Sequence, residues 1–107
     1  MKTSPLELKF DMVWRALNGP AMVSQFRFHA TRCWRFDFAH PATFTAIEIQ
    51  GGTWTRGGHA RGAGIRRDYE KLNHAMLAGW TVFLLTGDMI TVDWLRRIID
   101  FILELSE

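Results

Sequence analysis

Two carboxylates carry the first chemical signal in this chain. Asp37 lies in the apolar run Trp34 to Phe38, and Glu48 sits between Ile47 and Ile49 in the next apolar run. Both runs read as strands, so the two acids stand near the ends of neighbouring strands. Acids placed in core strands are costly unless they bind something. A glycine-rich, basic stretch follows directly. Residues 51–64 hold six of the nine glycines, with Trp54, Arg56, His59 and Arg61 among them, and Arg66 and Arg67 just beyond. Hydrolysis of a phosphodiester needs an activated water and neutralised phosphate charge. Mg²⁺ supplies both and is held by carboxylate and carbonyl oxygens. Paired acids facing a flexible basic loop fit that chemistry. For either acid alone, the solvated face of an edge strand is the plainer explanation.

The loop has its own chemistry. Glycines allow close backbone approach. Arg56, His59 and Arg61 can contact phosphates, and Arg66 and Arg67 add charge where a helix N-terminus presents free N–H groups to an anion. Trp54 can stack on bases or wedge into a distorted duplex. The plainer alternative is a surface loop with incidental charge. No Gly-Lys-Ser/Thr follows, and the third glycine of a dinucleotide fingerprint is missing, so no nucleotide cofactor is expected. His29, His40, His59, His74 and Cys33 show no zinc spacing, and there is no Gly-x-Ser-x-Gly elbow.

The elements that must position these residues are legible. Ser4-Pro5 caps a helix in which Leu6, Phe10, Val13, Trp14 and Leu17 recur at helical spacing, and Asn18-Gly19-Pro20 stops it. Glu7 falls at the edge of its apolar face, where an acid in the first turn also suits the helix dipole. Strands are predicted over Gln25–His29, Trp34–Phe38 and Phe44–Ile49, in an antiparallel meander. Trp34, Phe36 and Phe38 share one face by simple alternation. A helix from Ile65 to Gly79 places Asp68, Tyr69, Leu72, Ala75 and Met76 on one side. Thr81–Leu85 reads as a strand buried on both faces, reached by a parallel crossover. The last helix, Val92 to Leu105, is apolar over more than half its circumference, which points to a second buried surface and a homodimer. The alternative puts Trp94 and Phe101 under the N-terminal helix.

With 107 residues the chain makes one domain. A hydrophobic content of 48% fits a globular protein, and a net charge of +2 says little by itself about partners. More informative is that five of thirteen basic residues (Arg56, Arg61, Arg66, Arg67, Lys71) fall within sixteen positions. One cysteine excludes an intrachain disulfide. No apolar run is long enough for a membrane span, and Glu7 and Lys9 interrupt any leader, so a soluble cytoplasmic protein is expected.

Asp37, then Glu48-Ile49-Gln50 eleven residues later, resembles the acid and acid-x-lysine core of the PD-(D/E)xK nuclease superfamily. The wider run includes Gly51-Gly-Thr-Trp, His59-Ala-Arg-Gly and Asp68-Tyr-Glu-Lys-Leu-Asn73. It resembles small phage and prophage endonucleases grouped with archaeal-type Holliday-junction resolvases. The resemblance implies a restriction-endonuclease-like αβββαβ core, an α/β fold with a mixed central sheet, here followed by a C-terminal helix. It implies Mg²⁺-dependent (Mn²⁺ as substitute) cleavage of DNA, most of all branched DNA, in a bacterial host cell if the chain is phage-encoded. It makes Asp37, Glu48, the Ile49 carbonyl and Glu7 metal ligands. The family lysine is replaced by Gln50, which can orient water or a phosphate oxygen without charge. Lys71, on the following helix, is the candidate to supply that charge, against the plainer reading of a solvated helix lysine. A nicking, repair or restriction-like nuclease, or an inactive DNA-binding module, are the alternatives.

Overall fold

A computed structural model describes residues 4–50 and 63–107. Within them the order is α1 (Pro5–Ala16), β1 (Val23–Arg27), β2 (Arg35–His40), β3 (Thr45–Gln50), α2 (Ala63–Leu77), β4 (Thr81–Thr86) and α3 (Val92–Ser106). The sheet order is β1-β2-β3-β4. The first two pairings are antiparallel and β3–β4 is parallel, so the meander and the crossover through α2 are both present. The protein is therefore α/β, with a mixed four-stranded sheet and a C-terminal helix.

Each helix is fixed by local chemistry. In α1 the Ser4 hydroxyl accepts the Glu7 N–H at 3.1 Å, and Pro5 opens the first turn. The Trp14 indole donates to the Pro20 carbonyl at 2.8 Å, folding the chain back after the helix. Gly19 permits this: a Cβ there would lie 2.4 Å from Trp14 Nε1. Helix α2 ends at Gly79, whose φ of 91° lies in the left-handed region. Thr91 caps α3 through the Trp94 amide.

Two apolar layers sandwich the sheet. On one face α1 and α3 bury Phe10, Trp14, Leu95, Ile98, Ile99 and Ile102 against Phe38, Ile47 and Leu85. On the other, Ala75 of α2 meets Ala39 and Ala46, with Phe36 and Trp80 beside them. Ala39 and Ala46 are directly paired across β2 and β3. With small residues on both sides, α2 seats close to the sheet.

Four expectations need correction. Phe36 and Phe38 enter opposite layers, so simple alternation fails between them. β4 is the sheet edge rather than a strand buried on both faces; its apolar run leaves Leu84 45% exposed. Tyr69 and Met76 are exposed, and the buried residue of α2 is Ala75, which packs in one cluster with Ala39, Ala46, Phe36 and Trp80. Trp94 remains exposed rather than lying under α1, while Phe101 packs edge-on against Phe83 at the α1–α3 core cluster.

Gly19→Ala is expected to destabilise the protein by about 1–3 kcal/mol, because the buried Trp14 ring must shift. Gly64→Ala is expected to be neutral or to stabilise by up to about 1 kcal/mol, since nothing lies within 4 Å of its added methyl and α2 gains an alanine. Urea unfolding of both variants measures the difference.

Candidate active site

The β2–β3 ladder pairs His40 with Thr45, Ala39 with Ala46 and Phe38 with Ile47, and stops there. Asp37 and Glu48 come next, and their side chains take over the bonding. The Asp37 N–H donates to Glu48 Oε2 at 2.9 Å, and the Ile49 N–H donates to Asp37 Oδ2 at 2.7 Å. Two carboxylates thus replace backbone carbonyls as acceptors, and such charge-assisted bonds are the stronger kind. On either side of Asp37, Phe36 and Phe38 enter opposite layers. On β1, the neighbouring Gln25 takes a φ of 52°, so the irregularity extends across the strand pair.

Around this fork the structure gathers two of the expected residues and one unexpected one. Lys71 Nζ donates to Glu48 Oε1 at 2.5 Å, with side chains only 17% and 13% exposed. It is not a solvated helix lysine. The ammonium also lies 5.9 Å from the centre of the Phe36 ring. Glu7, from α1, accepts a hydrogen bond from Gln25 Nε2 at 3.2 Å. Gln25 escaped the sequence reading. The one signal for it was a polar residue beside Phe26 in a short apolar strand.

The electrostatics place the three acids in one field. Burial pushes the Glu48 carboxyl above 4.5. Lys71 pulls it back, and the negative charge of Asp37 adds to the rise. Burial also raises Glu7, with Asp37 again contributing, against hydrogen bonds to Ser4 and Gln25. The charge of Asp37 thus acts on both glutamates.

Gln50 is exposed at the end of β3 and shares a small pocket with Glu48, Asp68, Lys71, Leu72 and Leu84. Arg66 and Arg67 are exposed near the start of α2. Trp54, Arg56, His59 and Arg61 lie outside the described residues. The N–H and C=O of one residue in an antiparallel strand face the same neighbour. Because the Ile49 N–H meets Asp37, its carbonyl faces the fork too.

These donors suit a hard cation. Carboxylate and carbonyl oxygens match Mg²⁺, which is held by one or two carboxylates with waters completing its shell. Among the described residues no three acidic, histidine or cysteine side chains form a ready cage. Asp37 and Glu48 alone meet the smaller requirement. Each Glu48 oxygen accepts one bond and keeps a second lone pair.

A raised Glu48 pKa means the folded protein holds that proton more tightly than the unfolded chain. The stability it contributes is complete below about pH 4.5 and is lost as pH rises through the folded value. Lys71→Met removes the main opposing influence, so the Glu48 carboxyl is expected to titrate higher still and the window to widen upward. Carbon NMR titration of the Glu48 side chain reads this directly; an unchanged or lower value would contradict the assignment. Comparison of the chain with protein-family models, with curated proteins and with solved structures gave no match to any of the three.

Proposed function

We propose that this protein is a metal-dependent DNA endonuclease with a restriction-endonuclease-like core, acting by preference on branched DNA. The observation that carries the reading is the fork itself: Asp37 and Glu48 close the β2–β3 ladder with their carboxylates, and Lys71 stands against Glu48. The branched-DNA preference rests on the resemblance of the Asp37 to Asn73 run to junction-resolving nucleases.

In this reading Asp37, Glu48, the Ile49 carbonyl and Glu7 hold Mg²⁺ or Mn²⁺. When bound, the ion neutralises phosphate charge and lowers the pKa of water. The protein's own groups do the positioning. Asp37 and Glu48 are fixed by backbone N–H groups and lose little freedom on binding. Lys71 supplies positive charge to the phosphate from α2, where the nucleases that the sequence resembles carry it on the strand. Gln50, at the pocket mouth, orients water or a phosphate oxygen through its amide. Gln25 holds Glu7 in place. Arg66 and Arg67, with Arg56, His59 and Arg61 of the preceding glycine-rich segment, bind the DNA backbone, and Trp54 stacks on bases.

A homodimer through α3 completes the reading. Trp94 and Leu105 lie seven plus four residues apart on one flank of that helix, with Phe101 between them, and both are exposed. A twofold contact along this flank would set two sites against two strands. Among the described residues no helix is long and apolar enough to cross a membrane. The competing reading, a DNA-binding module without hydrolysis, rests on the uncharged Gln50.

Labelled four-way junction, nicked duplex, linear duplex and single strand, each with Mg²⁺, Mn²⁺ or chelator, test these readings together. Paired, metal-dependent cuts in the junction are expected. Glu48→Ala should slow them about 100-fold or more, the loss of several kcal/mol of charge stabilisation. Cuts mainly in nicked or linear DNA would indicate a repair or restriction-like nuclease. Binding without cleavage under every metal would leave the binding module. Sedimentation is expected to show a dimer at micromolar concentration, weakened by Trp94→Ala; a wild-type monomer would refute the α3 interface.

A further inference from the structure

From Met12 to Phe36 the chain contains no acid, yet it holds four arginines. Arg15 is taken up by Asp11 on α1. The other three, Arg27, Arg32 and Arg35, lie exposed on the β1–β2 hairpin, and among the described residues Arg27 and Arg32 form no ion pair. Arg27 and Arg35 stand directly opposite each other in the ladder.

The hairpin tip is built rather than loose. His29 Nδ1 accepts the N–H groups of Thr31 and Arg32 at 3.2 and 3.0 Å. Arg27 Nε donates to the Arg32 carbonyl at 3.3 Å, tying one arginine to the backbone of the next. The Arg32 guanidinium lies 4.0 Å above the Trp34 ring. Trp34 in turn sits 5.1 Å from both His29 and His74. The Arg27 and Arg32 guanidinium groups are thus held in place before any ligand arrives, which limits the entropy lost on binding.

The patch joins the candidate active site. His74, Lys71 and Arg67 fall at spacings of three and four on α2, one row along the helix. Lys71 meets Glu48 in the middle of that row, and His74 meets the hairpin tip at its end. A rise of about 1.5 Å per residue puts the tip roughly one turn from Lys71.

Resting on the nuclease reading above, we propose that the β1–β2 hairpin is a second nucleic-acid contact surface. Arg27 and Arg32 grip phosphates of the strand that runs on from the site, on the side of Lys71 away from the start of α2. The occupant is a phosphodiester backbone, because Arg27 and Arg32 offer forked cations that form no ion pair among the described residues, a match for phosphate oxygens.

The test is binding of labelled duplex and four-way junction by the full chain in chelator, where no cleavage occurs, across a salt series. Each lost phosphate contact should reduce the slope of log affinity against log salt by about 0.9 on duplex. Arg27→Gln and Arg32→Gln are each expected to show that loss, with several-fold weaker binding at moderate salt. Arg32→Lys should keep the slope, and Arg15→Gln, on α1, should leave it unchanged. Wild-type slopes in Arg27→Gln and Arg32→Gln, with DNA still bound, would overturn the hairpin surface and leave the nuclease reading intact. Failure of the wild type to bind any of these DNAs would overturn both. Equal affinity for polyglutamate at matched charge would overturn the nucleic-acid assignment in favour of an acidic protein partner.

Discussion

The candidate site depends on a single exchange of hydrogen-bond acceptors. A backbone N–H removed from water must find a partner. At the end of the β2–β3 ladder the partners are the carboxylates of Glu48 and Asp37. The two strands can then separate without orphaning their donors, and the gap between them is lined by acids. The exchange is reciprocal: each strand's carboxylate serves a backbone amide of the other. Neither acid can be lost without unsettling the point where the sheet opens.

Both apolar layers hold that opening in place. Ala39, Ala46 and Ala75 let α2 approach closely enough for Lys71 to reach Glu48. On the opposite face Phe10 and Trp14 anchor α1 against Phe38, one residue from Asp37. The Trp14 ring is fixed in turn by Pro20 and by the missing side chain of Gly19. Packing thus brings Glu7 from one helix and Lys71 from another to a fork that belongs to neither.

The same packing concentrates charge. Two half-buried glutamates feel the field of Asp37, and burial raises both. One internal cation, Lys71, offsets part of this at Glu48. A divalent ion would offset more, since hard oxygen donors and excess negative charge are what such an ion satisfies. The acids are therefore poised at some cost to folding, the balance expected where a site is kept for binding rather than for stability.

Much of this was legible in the residues alone. Helical spacing with Ser4-Pro5, apolar runs separated by turns, and the stop at Gly79 determined the element order, because caps and periodicity are local properties. The spacing of Asp37 and Glu48 on successive strands identified the two central acids for the same reason. Tertiary structure alone decided how those acids are used. Alternation predicted Phe36 and Phe38 on one face, and the structure parts them across Asp37, the residue that bonds to Glu48 on the next strand. It also decided that Lys71 is an ion-pair partner, that Gln25 holds Glu7, and that β4 lies at the sheet edge. Each of these depends on contacts between elements distant in the chain, and periodicity within one element carries no record of its neighbours.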